Sequence, residues 1–126
     1  MRSKLVILSA LLTILVLFMP SIAAASATGE LAGIIMNLNH RPSPMDKQRL
    51  MEIIDEKSTT AGEKTLAKAL MNMEHHVASS DKDRLNQMIH DSSTPDDERE
   101  LAEILVNLNH HASAEDKVEL KKITGK

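Results

Sequence analysis

The sequence predicts an all-α protein of three tandem 35-residue helix-turn-helix hairpins, stacked as a short α-solenoid or closed into a six-helix bundle, behind an N-terminal signal peptide. Three observations predict it. The string LAGIIMNLNH from Leu31 returns as LAKALMNMEH from Leu66 and LAEILVNLNH from Leu101, each start 35 residues after the last. A second string, Asp-Lys and then Leu, keeps the same register at Asp46, Asp81 and Asp116. The residues ahead of the first copy have the make-up of an export signal rather than of a folded unit.

In that leading segment, Arg2 and Lys4 precede an apolar run from Leu5 to Met19, interrupted only by Ser9 and Thr13. Pro20 ends the run, and the small residues from Ser21 to Ala27 offer A-x-A cleavage sites after Ala25 and after Ala27. The second site is preferred, because it leaves Thr28 to cap the first helix. The run is shorter than the roughly 20 residues that span a bilayer, so no stable membrane insertion is expected after cleavage. There is no twin Arg, which points to Sec-type export of an unfolded chain. There is no Cys either, so neither a lipid-modified Cys nor a disulfide is available, which suits a periplasmic or secreted bacterial protein. The expected organisation is residues 1–27 as signal peptide and 28–126 as one helical-repeat domain, with units of about 28–57, 58–92 and 93–126.

Loss of Arg2 and Lys4 with the signal moves the net charge from −3 to −5. An acidic chain has no electrostatic reason to seek phosphate backbones. Its only aromatic residue, Phe18, lies in the signal segment, so the remainder has no stacking platform for bases. Nucleic acid is therefore excluded as a partner, and the core must be built from Leu, Ile, Met, Val and Ala.

Within each unit the first string predicts helix A. Leu31, Ile34, Ile35 and Leu38 stand at i, i+3, i+4 and i+7, as do Leu66, Ala69, Leu70, Met73 and Leu101, Ile104, Leu105, Leu108. The second string predicts helix B, with Leu50, Ile53 and Ile54 matched by Leu85, Met88, Ile89 and by Leu120, Ile123. Thr60 and Glu63 form the pattern of a capping box for the second helix A, and Thr94 ahead of Pro95 is expected to open the third. Ser43 and Ser113, each three residues before an Asp, are expected to cap helix B; the middle copy has Ala78 there and is expected to use Ser79 or Ser80. The period is similar to that of tetratricopeptide repeats, but the units lack that family's Trp, Gly and Tyr pattern and its closing Pro, so no binding residues follow from the likeness.

Two polar positions recur without a packing reason: Asn37, Asn72, Asn107 and, three residues on, His40, His75, His110. A second His follows in two copies, His76 and His111, where the first has Arg41. A structural role would place each His in the last turn of helix A, donating to free carbonyls or pinning the turn to Asp46, Asp81 or Asp116, with the Asn amides bonding the turn. A functional role would be a metal site of His40, His75, His76, His110 and His111, suited to Cu, Zn or Ni, with Met36, Met71, Met73 and Met88 as soft donors for Cu(I). Helices that stack roughly 8–10 Å apart make a shared ion strained, since each nitrogen must come to about 2 Å. There is no Cys nucleophile, no G-x-S-x-G and no H-E-x-x-H, and the chain is not expected to be an enzyme. The leading expectation is an exported, non-catalytic module offering one face of its hairpins to a protein or peptide partner. The alternative is periplasmic transition-metal binding or buffering by the histidine turns, with no other cofactor.

Overall fold

The computed structural model describes residues 26–125, and the expected signal peptide, up to Ala25, lies outside the described residues. These form six α-helices and no strand: α1 (Ala27–Met36), α2 (Pro44–Asp55), α3 (Ala61–Met71), α4 (Ser79–His90), α5 (Asp96–Asn107) and α6 (Ala114–Thr124). None is long and apolar enough to cross a membrane. The all-α class is thus as the hydrophobic periodicity predicts.

Local signals account for most helix starts. Ser43, Thr60 and Ser113 each accept from the backbone N–H three residues on, while Asp46, Glu63 and Asp116 reach back to the cap N–H, completing three capping boxes. Three starts differ from expectation. Ser26, not Thr28, caps α1, its Oγ accepting from Gly29 N–H at 3.1 Å, which leaves Thr28 inside the helix with its hydroxyl free for another partner. Ala78 takes the cap position of α4, so Ser79 and Ser80 are already helical and that end has no side-chain cap. Pro95 occupies the cap of α5 ahead of Asp96, Asp97 and Glu98, whose charges suit the positive end of the helix, and Thr94 stays outside.

The helix A ends come earlier than the apolar stripe suggests. Leu38, Met73 and Leu108 lie just past α1, α3 and α5, yet all three are buried. Their N–H groups donate three residues back, to Ile35, Leu70 and Leu105, so the last turn tightens and still drives the side chain into the core. Consequently the three recurring histidines are not in a last helical turn but in the connection beyond it.

Packing is cyclic. The most extensive contacts run between α2 and α3, between α4 and α5, and between α6 and α1, while α1, α3 and α5 also touch one another. Leu31, Ile35, Leu66, Leu70, Leu101 and Leu105 of these three helices are completely buried, as are the small Ala32, Ala67 and Ala102. Leu50, Ile53, Leu85 and Leu120 close the core from outside. Burial of each such Leu or Ile is worth about 1.5–3 kcal/mol, which is how a core without aromatic side chains holds together. Because residues at both ends of α1, α3 and α5 meet their counterparts, as described below, the three helices run parallel.

Candidate metal centre

Beyond the C-terminal ends of α1, α3 and α5 the chain must turn sharply into the next helix. Asn37 and Asn107 brace that turn, each donating its side-chain N–H to the carbonyl four residues back, Gly33 and Glu103, at 3.0 Å. Asn72 instead donates to Asp81 at 3.2 Å, and Asp81 is buried beneath it. The expected pin between histidine and aspartate does not form: the side chain of Asp46 is taken by Ser43, that of Asp116 by Ser113 and that of Asp81 by Asn72.

His40 and His110 have φ of 65° and 66°, the only non-glycine residues with positive φ among the described residues. Each is the middle of a three-residue turn closed at 2.8 Å, by Arg41 N–H to the Asn39 carbonyl and by His111 N–H to the Asn109 carbonyl. A β-carbon in this left-handed region costs on the order of 1–2 kcal/mol, so the surroundings must enforce it. Backbone bonds between turns do so: His40 N–H donates to the His110 carbonyl at 2.7 Å and His110 N–H to the His75 carbonyl at 3.2 Å.

The two enforced turns bring the imidazoles of His40 and His110 together with that of His75. Nδ1 of His40 lies 2.9 Å from Nδ1 of His110 and 3.3 Å from Nδ1 of His75. One ligand atom from each of the three falls within 4.8 Å of the others, and ring centroids are 4.9–5.3 Å apart at steep angles. Three nitrogens about 2.0–2.1 Å from a tetrahedral ion stand about 3.3 Å from one another, and from an octahedral ion about 3.0 Å. The two edges from His40 therefore fit a bound ion, and the ligand atoms of His75 and His110 lie within 4.8 Å of each other. Protons satisfy the arrangement less well, since each Nδ1 offers one proton or one lone pair and His40 must serve two partners. His40 and His75 are exposed and His110 is half-buried. His110 is pushed below its ordinary value by burial first and then by the neighbouring His40, His75, His76 and His111. Its neutral, metal-competent form is thereby favoured.

No protein family, curated protein or solved structure matches the chain. The centre is therefore read from its own geometry.

Of the five histidines considered from the sequence, His40, His75 and His110 come together. His76 and His111 do not join the group within 4.8 Å; His76 lies beside it, ring centroid 5.6 Å from that of His110, and both are exposed. His90, on α4, has its Nδ1 2.7 Å from the Asn86 carbonyl and takes no part. Met73 is sealed in the core, and Met36, Met71 and Met88 are partly buried against it, so the thioethers pack rather than ligate. The separation of stacked helices is no obstacle, because the ligands come from turns that leave the helices and fold over the common axis.

Asn39, Arg41 and Glu74 line, with His40 and His75, a cavity of about 340 Å³ beside the triad, a placement that their spacing alone does not suggest. The available signal was a break in register. Glu74 stands where the other copies have Asn39 and Asn109, and Arg41 where they have His76 and His111.

Proposed function

We propose that this protein is an exported binder of a divalent transition metal, held by Nδ1 of His40, His75 and His110. The observation that carries the reading is the pair of nitrogen separations, 2.9 and 3.3 Å, which match the edges of a three-nitrogen coordination face. An all-imidazole donor set suits Zn(II), Cu(II) or Ni(II) and not Mg(II) or Ca(II). The same reading takes the three 35-residue units as a closed ring in which helix B of each unit packs on helix A of the next, supported by the packing of α2 on α3, α4 on α5 and α6 on α1. The partner-binding module expected from architecture is compatible with it but has no comparable cluster behind it.

Titration of Zn(II), Cu(II) and Ni(II) into the metal-free chain tests the proposal. One ion per chain is expected, with affinity falling at least about 100-fold in His40→Gly, His75→Ala and His110→Gly, since even loss of an outer-shell partner costs about 10–100-fold. Glycine is chosen at 40 and 110 because it accepts positive φ. Affinity indifferent to all three changes would sink the reading.

Export remains part of the proposal. Ser26 caps α1, so cleavage after Ala25 retains that cap and cleavage after Ala27 removes it. The mass of the exported protein is expected to correspond to a chain beginning at Ser26; a chain beginning at Thr28 would show that the cap is dispensable.

A further inference from the structure

Resting on the metal reading, we infer that the bound ion keeps an open side toward the cavity between His40 and His75, and that this notch takes an α-amino acid as an additional chelating ligand. Three protein nitrogens leave coordination positions unfilled on any of the candidate ions. His40 and His75 also line a cavity of about 340 Å³ with Asn39, Arg41 and Glu74, a volume that suits a molecule of a few heavy atoms.

The chemistry of the ligand follows from what distinguishes this edge from the other turns. The two rim positions at which the triad's local symmetry is broken by charge are Arg41 and Glu74, and both line the same cavity. They carry opposite charges, yet form no ion pair within 4.0 Å. A notch with a cation on one wall and a carboxylate on the other is complementary to a ligand that is negative at one end and a hydrogen donor at the other. An α-amino acid meets that description. It arrives as a zwitterion; its ammonium gives one proton to solvent, and the freed amine lone pair and one carboxylate oxygen close a five-membered chelate on the metal. No electron is transferred. The second carboxylate oxygen is left to accept from the Arg41 guanidinium, and the coordinated amine N–H to donate to Glu74. A dianion such as phosphate would face Glu74 unfavourably, and a simple carboxylate would leave Glu74 without a partner.

Glycine and acetate serve as probes on the Cu(II)-loaded chain, read by electron paramagnetic resonance and visible absorption, with copper retention checked by gel filtration. Chelation alone favours glycine over acetate on any open copper, so the decisive readout is the dependence on the two rim residues. The variants Arg41→His and Glu74→Asn are those the sister turns already carry at these positions, which guards against misfolding. Arg41→His is expected to weaken glycine and acetate alike by about tenfold, the effect of about 1.4 kcal/mol. Glu74→Asn is expected to weaken glycine several-fold and leave acetate unchanged or tighter. Glycine affinity equal in wild type and both variants, no spectral change on adding glycine, or glycine carrying the copper off the protein would each overturn the inference. Failure of the metal reading itself is seen earlier and separately, as absence of copper binding before any amino acid is added, and it removes this inference with it.

Discussion

The parallel trio α1, α3 and α5 ends in two quite different clusters, although both are assembled from residues 35 positions apart. At the N-terminal end, Thr28, Glu63 and Glu98 meet. Glu63 accepts from Thr28 N–H at 3.1 Å, from the Thr28 hydroxyl at 2.7 Å and from Thr60 N–H at 2.9 Å, and Glu98 accepts from the Thr60 hydroxyl at 2.8 Å. Both carboxylates at this end are buried and bonded by threonines, and no residue here has positive φ, although the neighbouring Thr59 hydroxyl is buried without a partner. The histidine end holds two strained residues and three ring nitrogens that face one another. On the metal reading the strain at the histidine end is held where an ion would sit, whereas the acid end is a clasp. Helix dipoles reinforce the contrast, since carboxylates sit at the positive ends and a cation would sit beyond the negative ones.

The sharpest way to break this contrast is to supply and withhold metal. At a free metal concentration of 100 times Kd, the wild-type chain should gain about 2.7 kcal/mol of stability. The double variant His40→Gly/His110→Gly should gain none, while its metal-free stability stays within about 1 kcal/mol of wild type because glycine relieves the positive φ. Thermal melts with and without Zn(II) check both halves. A large metal-free loss would mean that the histidine end is a clasp too.

The next effect lies at the acid end. A β-carbon on Gly62 would come within 2.0 Å of Glu98 Oε2 and 3.0 Å of its Cδ. Since Glu98 is buried and bonded to Thr60, Gly62→Ala should displace the carboxylate and destabilise by about 1–3 kcal/mol. In a Glu98→Ala background the same change should be neutral or stabilising, as alanine is the better helix former by about 1 kcal/mol. Equal costs in the two backgrounds, measured by denaturant melts, would show that the glycine does not accommodate Glu98.

How much of this was legible in the sequence depends on range. The helices and three of the caps are local, written as 3.6-residue stripes and as Ser or Thr three residues before an acid, and they were read correctly at Ser43, Thr60 and Ser113. The failure at Ala78 arose because expectation supplied a hydroxyl where the chain does without one. The histidine–aspartate pin failed because a serine three residues before Asp46 and Asp116 competes better than a histidine across the turn. The sequence offered five histidines as ligands of one metal site, but the selection of His40, His75 and His110 was not legible, since it depends on α6 packing on α1 and on two left-handed residues that no spacing announces. Thr28, Glu63 and Glu98 were legible in principle: they share one register position, but acids near helix starts look like ordinary dipole partners.

The smallest effect is the most direct test of the contrast, because pH should act on the two ends in opposite senses. Glu98 is held above its ordinary 4.5, by burial first and by Glu63, with the Thr60 hydroxyl opposing. Its contribution to stability is therefore complete below about pH 4.5 and is lost as pH rises through the higher folded value. His110 is held below its ordinary 6.5, so its contribution is complete above about pH 6.5 and is lost as pH falls through the lower folded value. Between these limits the two contributions have opposite slopes. Glu98→Gln, which keeps an acceptor for Thr60, should leave a metal-free chain whose stability rises with pH across this window relative to wild type. His110→Gly should leave one whose stability falls. Denaturant melts in chelator at several pH values between 4.5 and 7.5 read the difference curves, in which groups remote from the changed residue cancel. Difference curves of the same sign would mean that the two clusters titrate as one, and that the division between clasp and receptor is wrong.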